Sequence, residues 1–89
     1  MFGFGKKKAE KPIGEVTHYF GKIGVAVVKA LAPLKVGDQV KLKGATTDFT
    51  QAIESMELDH ANVEEAKKGQ EVGMKIKERV REGDQLFHA

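Results

Sequence analysis

Residues 49–76, Phe49-TQAIESMELDHANVEEAKKGQEVGMK-Ile76, decide the fold. A strand-like run, Phe49 to Asp59, leads into the turn Asp59-His60-Ala61-Asn62. Val63 to Gly69 follows, then a second strand-like run, Gln70 to Lys77. Two β segments joined by a short charged connection that ends in glycine predict the corner of a small barrel. Within the first run the alternation breaks. Phe49 and Ile53 have one parity, Met56 and Leu58 the other, and a strand turns successive side chains to opposite faces. A β-bulge near Glu54 or Ser55 is therefore expected. Residues 63–68 read as one helical turn. Asn62 caps it, Glu64 and Glu65 lie in its first turn, Lys67 and Lys68 in its last, and Gly69 ends it. Val63 and Ala66 share its buried side. In the strand Glu71 to Lys77, Val72, Met74 and Ile76 point inward, and Val80 extends the set.

Outward from this stretch, further strands are expected. Ile13 to Phe20 places Val16, His18 and Phe20 on one face and Ile13, Glu15, Thr17 and Tyr19 on the other. Gly21-Lys22-Ile23-Gly24 is a tight turn; its lysine precedes the second glycine and no Ser or Thr follows, so it is not a phosphate loop. Ile23 to Leu31 is apolar on both faces: Ile23, Val25 and Val27 on one, Gly24, Ala26, Val28 and Ala30 on the other. That predicts a central strand whose outer face is covered by the N-terminal arm, a loop or a partner. Pro33 breaks it, and Val36-Gly37-Asp38 forms a turn. Gln39 to Lys43 points Val40 and Leu42 inward and Lys41 and Lys43 outward. Gly44 to Asp48 is a polar loop, Arg81 to Asp84 a turn, and Gln85 to His88 closes the structure with Leu86 inward. The fold class is all-β: a small closed antiparallel Greek-key-like barrel of about six strands with one short helical turn.

The 89 residues suit one domain with a small core. No cysteine is present, so there is neither a disulfide framework nor a thiolate site, and a cytoplasmic location is expected. No apolar run approaches the ~18 residues of a membrane span. The net charge is +2, but residues 1–11 hold four lysines against one glutamate, leaving −1 for the remainder. Residues 1–12 read as a disordered basic arm and residues 13–89 as the folded domain. Phe2 and Phe4, spaced by glycine, could dock on a surface.

Several motifs carry a resemblance. They are Gly14-Glu15-Val16, Gly24-Val25-Ala26-Val27, Leu34-Lys35-Val36-Gly37-Asp38, Ile53-Glu54-Ser55-Met56, the run Val63 to Gly73, and Glu82-Gly83-Asp84-Gln85-Leu86. In this order they resemble the β-barrel second domain of translational GTPases, of elongation and initiation factor type, over roughly residues 13–88. The chain is more similar still to small stand-alone translation elongation factor-like proteins, in which stretches such as Thr17-His18-Tyr19-Phe20 and Thr46-Thr47-Asp48-Phe49-Thr50-Gln51 recur. The resemblance implies a non-enzymatic module that associates with RNA or the ribosome; a protein-binding adaptor is the alternative. Nucleotide hydrolysis is excluded because the phosphate loop and the room for a GTPase domain are missing. Related barrels also serve as accessory domains of larger enzymes, including one class of peptidases, from which no catalysis is carried over.

The candidate nucleic-acid contacts are Lys6, Lys7, Lys8 and Lys11 in the arm, and Lys41, Lys43, Lys75, Lys77, Arg79 and Arg81 on exposed faces. They would form one basic stripe if their strands are neighbours, though Glu54, Glu57, Glu71 and Glu78 could neutralise them. Tyr19 and Phe20 could stack on a base, although Phe20 suits the core. His18, His60 and His88 lack the convergence a metal needs, so no metal or other cofactor is expected. Asp48, Asp59 and Asp84 fall in turns, where capping explains them. Ser55 has no base beside it, and a hydrogen bond fixing the bulge is its expected role. No catalytic residue is assigned.

Overall fold

The computed structural model describes residues 11–89, so the expectations for Lys6, Lys7, Lys8, Phe2, Phe4 and most of the arm lie outside the described residues. The fold is all-β. Its strands are β1 (Gly14–Phe20), β2 (Val25–Ala30), β3 (Leu34–Lys35), β4 (Gln39–Lys43), β5 (Asp48–Ala52), β6 (Met56–Leu58), β7 (Ala61–Val63), β8 (Glu65–Ala66), β9 (Glu71–Lys75) and β10 (Gln85–His88). Eight of them form one antiparallel sheet in the order β5-β4-β10-β1-β2-β9-β6-β7, while β3 and β8 pair separately. The sheet is not closed, which corrects the expected barrel: among the described residues no ladder joins β5 to the β6–β7 end. No helix among the described residues is long and apolar enough to cross a membrane.

The expected helical turn is absent. Val63 ends β7, and Glu65–Ala66 form β8 against Leu34–Lys35. Six residues cannot offset the cost of nucleating a helix on their own. Pairing with β3 instead buries both Leu34 and Ala66, and the Val36 N–H donates to the Glu64 carbonyl at 2.9 Å. The turn falls later, where Gln70 N–H donates to the Lys67 carbonyl and the Gln70 side-chain oxygen accepts from Lys67 N–H at 2.8 Å.

The parity break in residues 49–59 is real, but its cause is a change of partner rather than a bulge. β5 pairs with β4, residues 53–55 leave the ladder, and β6 pairs with β9 and β7. The chain thus passes from one end of the sheet to the other, with Ile53 and Met56 both buried. The bulge lies in β1 instead. Val16 pairs with Val28 and His18 with Val27, so Thr17 is the extra residue, and its hydroxyl donates to the Val27 carbonyl at 3.2 Å. An extra residue reverses the faces beyond it. Val16 is buried as expected, whereas His18 and Phe20 turn outward.

Two polar groups organise the core edges. Gln51 is buried, with the same inward parity as Ile53. Its amide nitrogen donates to the Lys75 carbonyl at 2.9 Å and its oxygen accepts from Lys77 N–H at 2.8 Å. A single carboxamide thereby links β5 to the chain leaving β9, where no strand ladder does. Asp84 is also buried; its carboxylate accepts from the Thr47 hydroxyl at 2.5 Å and from Arg81 N–H at 2.8 Å. Capping is thus its role, but inside the core. Gly44 packs so closely that a methyl there would overlap this carboxylate.

The remaining core follows the alternation: Val40, Leu42, Val72, Met74, Ile76, Val80 and Leu86 are buried, joined by Ala26, Val28 and Ala30 from β2. The β6–β7 hairpin turns through Asp59 and His60, both with left-handed backbone (φ 52° and 66°). This two-residue geometry favours Asn-Gly, and non-glycine residues there cost about 1–2 kcal/mol each.

Three outcomes are expected in urea unfolding. Gln51→Leu leaves the Lys75 carbonyl and Lys77 N–H unpaired and should lower stability by about 2–3 kcal/mol; a loss below about 0.5 kcal/mol would show the clasp to be dispensable. Gly44→Ala should cost about 1–3 kcal/mol by displacing the Asp84 carboxylate. Asp59→Asn with His60→Gly should raise stability by about 1 kcal/mol.

Candidate functional site

The lysine series on β4 and β9 do not share a ladder. Between these strands lie β10, β1 and β2. Lys41 stands across from Thr50 and Phe87, and Lys43 across from Asp48 and Gln85. Lys43 also makes a loose ion pair with Asp48 at 3.9 Å. Lys75 faces the β2 side opposite Val25. Lys77, Arg79 and Arg81 follow β9 in irregular, exposed chain, and Lys11 is exposed ahead of β1.

The histidines do not converge. His18 Nδ1 lies 3.3 Å from a Glu82 carboxylate oxygen at the surface, and its ring lies 4.3 Å from that of Phe20. His60 sits in the β6–β7 turn and His88 ends β10. Among the described residues no three His, Cys, Asp or Glu side chains are grouped to hold a metal ion. Tyr19 is half-buried and packs on the core.

What the structure does bring together is the outer face of β2. Ala26, Val28 and Ala30 enter the core, while Val25 and Val27 stay half-buried on the opposite face. Gly73 pairs with Val27 on one side and Glu57 on the other, midway along β9. With Val72 and Met74 turned inward, Gly73 belongs to the outer face. The glycine leaves a trough between β2 and β6, since a strand glycine is where another backbone can approach closely. The trough continues as an open groove of about 450 Å³. Val25, Val27 and Gly73 form its floor, with Phe20 and Ile23 along its wall. Phe20, expected to suit the core, is 46% exposed, and Ile23 is 64% exposed.

The charged residues around this groove are asymmetric. Glu57, Asp59 and Glu71 line one part together with His60; Ser55 and Lys75 line the other. Ser55 therefore sits in the break between β5 and β6, beside the groove, rather than at a bulge. The two apolar faces of residues 23–31 signalled this surface in the sequence. The outward parity of Gly73 was legible beside Val72 and Met74, but the acidic rim carried no local signal, because it acquires its place from strand pairing.

With this geometry in view, the similar proteins are informative. No protein-family model matches the chain. Over 86 residues, 96% of its length, it is 37% identical to a protein of Methanocaldococcus jannaschii named an uncharacterized protease, of which the match spans 21%. Over 88 residues it is 32% identical to a collagenase of Porphyromonas gingivalis, spanning 24% of that protein. The chain thus has about a fifth to a quarter of the length of these relatives. Among solved structures it overlays the C-terminal domain of a Geobacillus thermoleovorans protein assigned to the U32 peptidases. The overlay has a TM-score of 0.81 at 26% identity, covering 86% of this chain and 98% of that domain. A second crystal structure of that domain gives a TM-score of 0.83 at 25% identity.

These findings correct the earlier resemblance. The relatives are a protease, a collagenase and a U32 peptidase C-terminal domain, not translation elongation factors. Association with RNA or the ribosome, and a non-enzymatic setting in translation, fall with it. Four of the six motifs that suggested translation factors carry a turn glycine, Gly24, Gly37, Gly69 or Gly83, and such turns are shared by different β folds because the same turn geometries demand them.

Ile23→Lys should change stability by less than about 0.5 kcal/mol, since the side chain is mostly in water. It should also reduce binding of a hydrophobic dye. An unchanged dye signal would locate the accessible apolar surface elsewhere.

Proposed function

We propose that this chain acts as a peptidase-associated domain of the U32 C-terminal type, working beside a peptide-hydrolysing body and presenting its outer β2–β9–β6 face to protein. The observation that carries this reading is the overlay on nearly the whole of a U32 peptidase C-terminal domain. Identities of 32–37% to a named collagenase and a named protease, over almost the entire chain, support the same setting. The exposed apolar groove supports a role in contact: an apolar surface left open on a small domain marks an interaction site more often than a neutral one. Peptide hydrolysis and its substrate belong to the assembly in this reading, and a cytoplasmic setting accords with the cysteine-free sequence.

A domain exchange tests it. The Geobacillus thermoleovorans protein would be compared whole, without its C-terminal domain, and with residues 11–89 of this chain in that domain's place. The chimera should keep peptide hydrolysis within about tenfold of the whole protein, a change of about 1.4 kcal/mol in barrier, while the truncated form falls further. A folded chimera no better than the truncated form would overturn the proposal.

A further inference from the structure

We propose that the outer groove over β2, β9 and β6 binds an extended polypeptide segment that carries large apolar side chains together with lysine or arginine. This deepens the peptidase-associated reading, on which it rests for the kind of partner. The shape argument begins with Gly73. Its position on the outer face, between Val27 and Glu57, leaves the groove floor without a side chain at the centre. A peptide backbone can therefore lie close to the sheet surface. Phe20 and Ile23 stand beside this floor. They are two of the three large hydrophobic residues left exposed among the described residues, so apolar side chains of a ligand gain most here.

Charge then narrows the ligand. Glu57, Asp59 and Glu71 line the groove with His60, against the ammonium of Lys75 at one end and that of Lys29, which stands across from Glu71 in the β2–β9 ladder. Among the described residues no ion pair within 4.0 Å engages any of these three carboxylates. A cationic segment complements them, whereas an acidic peptide or a nucleic-acid backbone is repelled. The groove runs alongside paired strands, so an extended segment offering alternate side chains matches its period better than a helix does.

The test uses the full chain, isotope-labelled and followed by amide chemical shifts. The probes are a synthetic peptide of alternating leucine and lysine and its counterpart with glutamate in place of lysine. The lysine peptide should produce saturable shifts at Val25, Val27 and Gly73, weakening severalfold as salt rises past about 0.3 M, where screening shortens the reach of exposed charges. The glutamate peptide should leave these amides unmoved. Gly73→Val gives the decisive variant. A Cβ at Gly73 would stand 3.5 Å from the nearest Val25 methyl, an ordinary contact, and a β-branched side chain suits a strand, so the substitution fills the floor; Gly73→Ala, which adds that Cβ alone, is the milder companion variant and should weaken binding in the same direction. Gly73→Val should melt no lower than the parent and bind the lysine peptide at least about tenfold more weakly, or about 1.4 kcal/mol.

Equal binding of both peptides, shifts confined to other strands, or undiminished binding by Gly73→Val would each overturn the proposal. So would movement of the same amides on deletion of residues 1–10 without peptide, which would make the chain's own segment the occupant. Concentration-dependent shifts with doubled hydrodynamic size would instead make it a second copy. A working domain exchange with no peptide binding removes the groove assignment and leaves the peptidase reading standing. Peptide binding with a failed exchange does the reverse.

Discussion

The carboxamide of Gln51 is the constraint on which the architecture turns. β5 and β6 are consecutive in the chain yet lie toward opposite ends of the sheet, and no ladder connects β5 to the β9–β6 side. Gln51 bridges this gap by offering one acceptor to Lys77 N–H and one donor to the Lys75 carbonyl, as a strand backbone would. Nearby, Gly37 and Asp38 exchange backbone hydrogen bonds with Ile53 at 2.8 and 2.9 Å. The sheet curls enough to enclose a core without closing. Buried polar groups are tolerated on these terms because each finds its partners, and no buried side-chain nitrogen or oxygen among the described residues lacks one.

Curling has a consequence for the surface. The small side chains of β2, Ala26, Val28 and Ala30, fill the concave side, where strands crowd. Val25 and Val27, apolar as well, are left on the convex side beside Gly73. An apolar trough on the outside is therefore coupled to the packing requirement on the inside. The Thr17 bulge adds to it by reversing the faces of β1, which brings Phe20 to the rim instead of the core. Packing and candidate binding surface arise from the same strand pairings.

The sequence was most legible where alternation is regular. β4, β9 and β10 place Val40, Leu42, Val72, Met74 and Leu86 inward as their parity requires. The two apolar faces of residues 23–31 called for a cover over the outer one, and the groove lies on that face. The short charged segment 63–68 misled, because its capping residues suit a helix while the pairing with β3 is invisible locally. The parity change near Glu54 was legible as an event but not as a change of strand partner. The resemblance to translation factors misled for a related reason: turn motifs report local geometry, whereas the setting of a domain is a property of the protein that contains it.

Composition and alternation by themselves determined an all-β chain, its buried valines and leucines, and its glycine turns, since these follow from the side-chain period and from steric limits on φ. Only the tertiary structure decided that the sheet stays open, that Gln51 and Asp84 satisfy buried hydrogen bonds, and that Phe20, Ile23 and Gly73 meet in one groove. Those outcomes rest on pairings between residues distant in sequence. A strand's local pattern specifies which face is buried, but not which neighbour buries it.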